Sequence, residues 1–435
     1  MDVFIIIDLV ILVILLIVGV PVGFCFAIAL AFMVFVGGYD PQFLLPYGFA
    51  KMSSIVLIAI PLFIMAGGLM NLGGLSKQLL DFANAIVGRI RGGMGVTVIV
   101  ACAIFGAISG SAAAAVATMG TITIPRMVEE GYPRGYAAAL VANAGVLALL
   151  IPPSATMILY AWMTDQSVAA CFLCTVGPGI LLVIFMSAFH VWQVRSMPNV
   201  KYLPWPGFKK ATREFATAGK NATFALLLPV IILGGIYGGF TTPTEAAAMA
   251  TVYSFLIGFV IFRAFTIKTC RGVLVETATT TGVIMIMVFC IMMLSRIFIM
   301  ESLPQKIAGL LTGISTNKYV ILAMINVFLI LVGMLMDDVS GILLTAPLLL
   351  PVVTAIGVSP IHFAAIIGVN LGLGNFTPPV APLLYLGSRI GNVGVDKMLK
   401  PAFLSLGVVW LPLLILVTYV PDISLFLPRL AGFVP

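Results

Sequence analysis

GVLALLIPPSA (residues 145–155) and LGLGNFTPPVA (residues 371–381) are the two stretches on which the reading of this chain turns. Each sets a proline pair inside a long apolar run. Proline has no amide proton and its ring clashes with the carbonyl one turn back, so each pair breaks a helix and frees carbonyls. In hydrocarbon an unsatisfied backbone group costs several kcal/mol, so broken helices persist there only where they line a cavity or lie buried in protein. The two stretches are also related, because residues 105–160 align without a gap on 331–386 at a constant offset of 226. Pro125, Gly131, Ala138, Ala139, Leu147, Pro152, Pro153 and Ala155 recur as Pro351, Gly357, Ala364, Ala365, Leu373, Pro378, Pro379 and Ala381. A double proline in register makes an internal repeat the direct explanation.

The rest of the composition sets the solvent. Of 435 residues, 62% are hydrophobic and 9% charged, and the mean hydropathy is +1.21. Soluble domains carry about 25% charge, so a soluble enzyme is excluded and the main partner of the surface is the lipid bilayer. The formal charge of +7 sits in short loops between apolar runs, which is membrane topology and not a nucleic-acid footprint. Six scattered cysteines, with no histidine near Cys171 and Cys174, give no metal or redox pattern. The N-terminus runs straight into apolar sequence with no basic leader and reads as a first transmembrane helix.

Apolar runs near 3–20, 22–38, 53–71, 136–163, 171–194, 223–240, 246–265, 273–299, 361–388 and 402–421 predict about ten crossings at ~20 residues each. Two further runs, 93–127 and 319–357, are interrupted at Ser109-Gly110-Ser111 and at Asp337-Asp338 and predict re-entrant helical hairpins with no net crossing. Charge supports the count. Of the 22 lysines and arginines, all but Lys51, Arg296, Lys306, Lys318 and Arg429 fall on one side, which the positive-inside rule makes cytoplasmic. Both termini are then periplasmic and the basic stretch 195–222 cytoplasmic, flanked by the interfacial aromatics Trp192, Tyr202 and Trp205. The expected fold is an all-α polytopic membrane protein. Its first repeat spans 1–200, a linker 201–222 and its second repeat 223–435, inverted relative to each other because each holds an odd number of crossings.

Breaks point to the site. They form two pairs: the tip Ser109-Gly110-Ser111 with the break Gly145 to Ser154, and the tip Gly333 to Ser340 with the break Gly372 to Pro379. Freed carbonyls of the breaks, which contain Gly145, Pro152, Gly372 and Pro378, join Ser and Thr hydroxyls in an oxygen cage suited to Na⁺, while helix N-termini at the tips suit a carboxylate. Asp337 is the expected functional acid, since an intramembrane carboxylate is costly unless it has a task; Asp338 beside it is read as reaching water. Asn143 and Asn370, just ahead of the breaks, could bond freed carbonyls or offer an oxygen to a ligand. Glu245 reads as structural, because Thr242-Pro-Thr-Glu245 has capping-box spacing. Asp8 is expected to snorkel or meet a partner helix, His190 to be structural, the methionines at 285–300 to be lipid-facing or packing, and Gly234-Gly235 with Gly238-Gly239 to form a helix-packing surface. No nucleotide-binding glycine motif accompanies these elements, so ATP is not the expected energy source. Nor is the chain expected to be an enzyme, because Ser109, Ser154, Asp337 and Asp338 as a hydrolytic set lack a nearby histidine and leave the repeat unexplained.

FGAISGS (105–111), Ile124-Pro125 with Gly131-Tyr132, IPPS (151–154), TPTEAAA (242–248), Pro347 to Pro351 and TPP (377–379) together resemble the large membrane subunit of TRAP transporters, the tripartite ATP-independent periplasmic family. The resemblance runs through nearly the whole chain. It implies an elevator-type fold and secondary active, Na⁺-coupled uptake of an organic anion such as a C4-dicarboxylate or sugar acid across the bacterial inner membrane. It also implies two protein partners, a periplasmic substrate-binding protein and a small four-helix membrane subunit. Carried over by position, the functional serines match Ser109 and Ser154 and the acid matches Asp337, with Gly110 at the same tip. The cation-binding positions match Ser111, Gly333, Gly374 and Thr377. A self-contained Na⁺/dicarboxylate symporter of similar hairpin architecture is the alternative expectation.

Overall fold

A computed structural model describes residues 2–201 and 207–434, and no strand occurs among them. Tyr202 and Trp205 lie outside the described residues. The first half runs α1 (Asp2–Val18), α2 (Val22–Phe35), α3 (Pro41–Met52), a 3-10 turn leading into α4 (Ala59–Leu72), α5 (Leu75–Val87), α6 (Gly93–Ser109), α7 (Ala112–Glu129), α8 (Arg134–Gly145), α9 (Leu147–Leu150), α10 (Ala155–Met163) and α11 (Val168–Val194). The second runs α12 (Phe208–Tyr237), α13 (Pro243–Leu256), α14 (Ile267–Met300), α15 (Leu303–Ile314), α16 (Lys318–Leu335), α17 (Asp338–Ala355), α18 (Pro360–Asn375), α19 (Pro382–Gly391), α20 (Asp396–Ser405), a π turn (Leu406–Trp410), α21 (Leu411–Tyr419) and α22 (Asp422–Leu430).

Eight helical stretches among the described residues are long and apolar enough to cross a membrane, and α8–α9 with α10, bent by 41°, makes a ninth. Two of the eight are α16 and α17, the arms of the second expected hairpin; α6 and α7 are the arms of the first. The expected runs 3–20 and 22–38 appear as the shorter apolar helices α1 and α2, and 361–388 is divided between α18 and α19. Four helices were not expected at all: α3, α5, α15 and α22, each of 9 to 13 residues. In α5, α15 and α22 the apolar residues fall on one stripe, which is the pattern of a helix lying at an interface and not of one crossing it; α3 has no such stripe and is too short to cross.

Repeat and structure coincide. Adding the offset of 226 to the bounds of α7 gives the bounds of α17. Capping explains several of these boundaries. Ser111 accepts from the Ala114 amide (3.4 Å) at the start of α7. Thr242 and Glu245 form the expected capping box, with Thr242 N donating to Glu245 Oε2 at 2.7 Å.

Glycine sets the distance between hairpin arms and broken helices. A Cβ on Gly374 would lie 2.3 Å from the carbonyl carbon of Gly333, one on Gly145 2.2 Å from Val116 Cγ2, and one on Gly372 2.7 Å from Val146 Cγ1. The last contact joins α18 to the kink between α8 and α9, so the two broken helices meet at their breaks. The other expected glycine surface is corrected: Gly238 and Gly239 follow the end of α12 in a turn, with Gly239 at φ +72°, and nothing lies within 4 Å of a Cβ on Gly234. Asp8 does not snorkel. It sits fully buried on the same stripe of α1 as Ile5, Leu12 and Leu16, with no partner for either carboxylate oxygen among the described residues. His190 is structural as expected, with Tyr136 Oη 2.6 Å from Nδ1 and Nε2 3.0 Å from the Gly92 carbonyl.

The Gly333–Gly374 approach is backbone against backbone, with no flexible side chain to give way. Gly374→Ala should therefore destabilise the protein by about 1–3 kcal/mol through overpacking, read as a lower Tm of the detergent-purified protein. Gly313→Ala, where nothing lies within 4 Å, should leave Tm unchanged or raise it; equal Tm values for both variants would contradict the packing.

Candidate functional site

In the first half, Ser109 is the last residue of α6 and Gly110 reverses the chain at φ +59°, a left-handed conformation that costs glycine nothing. The Gly110 carbonyl accepts from Ala155 N at 3.3 Å, and a Cβ on Gly110 would lie 2.8 Å from the Pro153 carbonyl oxygen. The hairpin tip is thus docked onto the break at 151–154. Ser109 Oγ stands 3.5 Å from Ser111 N and from Ser111 O. Ser154 is fully buried, caps nothing, and its hydroxyl has no partner among the described residues. Gly67 of α4 closes the back of the tip, since a Cβ there would be 2.9 Å from Ser109 Cα.

The second half repeats the docking. Val380 N donates to the Met334 carbonyl at 3.2 Å, so the chain just past Pro378 and Pro379 again holds a hairpin arm. Thr377 Oγ1 donates to the Leu373 carbonyl at 2.6 Å, which satisfies one carbonyl of the break and leaves the hydroxyl's lone pairs free. Asp337 occupies the position that Ser111 holds in the first half, immediately before the second arm, and Ser340 Oγ donates to it. Asp338 does not simply reach water. Its Oδ2 accepts from Thr156 Oγ1 at 2.7 Å and its Oδ1 from Asn375 Nδ2 at 3.1 Å, so one carboxylate ties α17 to α10 and to the end of α18. Residues 182 positions apart are joined across the repeats.

The two asparagines are used differently. Asn143 donates to Ser405 Oγ (2.5 Å) and accepts from Trp410 Nε1 (2.7 Å), so both ends of its amide fasten α8 to the α20–π-turn segment. It bonds no carbonyl of the break. Asn370 donates to Asn326 Oδ1 (2.9 Å) and the Ile366 carbonyl (2.8 Å), and Asn326 in turn donates to Thr418 (2.9 Å). The Asn370 Oδ1, the Asn375 Oδ1 and the Ser154 hydroxyl are buried side-chain oxygens without a partner among the described residues. Buried acceptors left open are expensive, and all three lie at or next to a break.

Two hairpin tips docked on two broken helices, in a chain of apolar helices with an internal repeat, define a polytopic membrane transport protein. The family can be stated more closely. A model of the "Tripartite ATP-independent periplasmic transporter, DctM component" matches residues 9–423, and the chain belongs to that family. It is 38% identical to the C4-dicarboxylate TRAP transporter large permease protein DctM of Pseudomonas aeruginosa, over 86% of this chain and 87% of that one. It is 33% identical to the sialic acid TRAP transporter large permease protein SiaM of Vibrio cholerae, over 96% of each. Among solved structures, the Alcanivorax borkumensis YdaH transporter shares the fold at a TM-score of 0.60 and 16% identity, covering 86% of both chains.

Removing the Asp338 carboxylate leaves Thr156 and Asn375 without their acceptor. Asp338→Ala should cost about 1–3 kcal/mol, and in a double-mutant cycle with Thr156→Val the coupling should be about 0.5–3 kcal/mol. Melting of the four purified proteins measures it, and plain additivity would remove the bridge from the account.

Proposed function

We propose that this chain is the large permease of an Na⁺-coupled carrier for an organic anion in the bacterial inner membrane. A periplasmic binding protein delivers the anion and a small four-helix membrane subunit completes the scaffold. The observation that carries the reading is the paired docking of each hairpin tip on its own broken helix, with the open oxygens of Ser154, Asn370 and Asn375 beside the breaks. Oxygen acceptors without donors, drawn from hydroxyls, amides and backbone, suit a hard monovalent cation. The relatives named for C4-dicarboxylate and sialic acid are named for carboxylates, which supports the substrate class.

In this reading the two halves, 1–200 and 223–435, are inverted repeats joined by a cytoplasmic linker at 201–222, with both termini periplasmic. Na⁺ is held by Ser109, Ser111 and the backbone from Gly145 to Pro152 in one half, and by Gly333, Gly372, Gly374, Thr377 and Pro378 in the other. The anion binds between the tips, against Ser109, Gly110, Ser154, Asp337 and Asn370. Asn143 positions α8 and does not touch the ligand. Cation binding orders the tips and favours the anion-loaded state, since a ligand shifts an equilibrium only by its differential affinity for the two states. The loaded bundle then moves across as a rigid body, driven by the Na⁺ gradient and the membrane potential.

Uptake of radiolabelled carboxylates into proteoliposomes tests this, with the binding protein and small subunit present or omitted. Uptake should require an inward Na⁺ gradient and both partners. Ser109→Ala, Ser154→Ala and Asp337→Asn should each reduce it by about tenfold or more, the loss of roughly 1.5–3 kcal/mol for a hydrogen bond to a charged group. Full activity in all three variants would discard the site, and uptake by this chain alone would replace the tripartite reading with a self-contained symporter.

A further inference from the structure

A cleft of about 1170 Å³ opens between the start of α8, the end of α11, the 392–394 turn and α20, and no residue of either hairpin tip lines it. Four cations line it, Arg134, Arg195, Lys397 and Lys400, against one neighbouring acid, Asp396, whose carboxylate lies beside Gly394 of the lining. None of the four has an acidic partner among the described residues. Arg134 reaches across to the Gly391 carbonyl at 3.4 Å, which orients its guanidinium over the cleft. Beside the polar Gln193, Ser196 and Asn392, the rest of the wall carries apolar side chains turned outward: Trp192 is 61% exposed and Leu404 41% exposed. An exposed tryptophan beside uncompensated cations is the pattern of the membrane interface.

We propose that this cleft binds one anionic phospholipid of the inner leaflet, its phosphate among the four cations and its acyl chains along Trp192 and Leu404. Charge alone would suit any phosphate. The exposed apolar wall favours a lipid, because a soluble anion would leave the outward surfaces of Trp192, which stacks on Phe189, and of Leu404 uncovered, whereas basic pockets between membrane helices at the cytoplasmic face match anionic headgroups. The proposal rests on the positive-inside orientation adopted above, which puts these four residues on the cytoplasmic side, and it is independent of the Na⁺ and substrate assignments.

The test is native mass spectrometry of the purified membrane complex after exchange with phosphatidylglycerol, cardiolipin or phosphatidylethanolamine. The complex should retain the two anionic lipids and not phosphatidylethanolamine. A variant carrying Arg134→Gln, Arg195→Gln, Lys397→Gln and Lys400→Gln should lose that retention on the order of tenfold, since each neutralised cation weakens attraction to an anionic headgroup. Should that variant not fold, Lys397→Gln with Lys400→Gln alone must lower retention. A control with Lys77, Arg91, Lys209 and Lys210 changed to Gln should keep it. Retention unaffected by the cleft substitutions, or lost equally in the control, would overturn the proposal. Displacement of the lipid by millimolar inorganic phosphate would overturn it in favour of a soluble-anion site. Because the readout is lipid bound to purified protein, it can fail while coupled transport holds, and the reverse.

Discussion

A carbonyl stripped of its amide donor in hydrocarbon costs about 2–7 kcal/mol, depending on the reference state, and this chain places two proline pairs in the middle of its most buried helices. The surroundings of the pairs answer part of that cost and dock the hairpins on the breaks. Each hairpin tip offers a carbonyl to an amide just past the prolines, Gly110 O accepting from Ala155 N and Met334 O from Val380 N, and the Thr377 hydroxyl, just beyond the end of α18, covers the Leu373 carbonyl. Glycines at 110, 333 and 374 let backbone come close enough for that. The hairpins are therefore not appendages to the broken helices, and neither element is satisfied without the other.

Coupling between the halves comes from side chains. Asp338 accepts from Thr156 of α10, and Asn143 of α8 bonds Ser405 and Trp410 of the second half, while Asn375 and Asn370 bond to Asp338 and Asn326 within the second half. Packing alone is a weak organiser in lipid, where the tails are as apolar as the helices, so hydrogen bonds and small-residue contacts decide which faces meet. The contact of Gly372 with Val146 puts both breaks at one crossing, and the hydrogen bonds hold that crossing in register.

The long apolar helices, both hairpins, the double prolines and the capping box at Thr242 were legible in the sequence because each has a local signature: length, a break, a missing donor, a fixed spacing. The family was legible for the same reason, through short motifs in order. Helices α3, α5, α15 and α22 were not, since a short segment between spans looks like a loop when only hydropathy is read, and in α5, α15 and α22 the apolar residues are spread along one amphipathic face. The role of Asp338 was hidden more deeply. Nothing local distinguishes it from Asp337, and its partners lie 182 and 37 positions away; only the fold reveals which carboxylate turns inward. The partners of Asn143 were out of reach in the same way, because Ser405 and Trp410 belong to the other half of the chain.

The repeat keeps the bounds of its helices but is unequal in charge, and the inequality bears on how such a site could work. At the offset of 226 the cap Ser111 becomes Asp337, while Ser154 becomes Val380. One tip presents hydroxyls and the other two adjacent carboxylates. An anion brought between them meets like charge on one side, which at short range is unfavourable by about 4 kcal/mol for an effective dielectric of 20 at 4 Å. Thr156 and Asn375 neutralise part of that field by donating to Asp338, but neither supplies positive charge. In the proposed reading the coupling cations offset it, so an anion would bind well only after Na⁺. Ordered binding of that kind is what keeps a carrier from running the cation gradient down without its substrate, and here it would follow from an asymmetry between two otherwise matching halves.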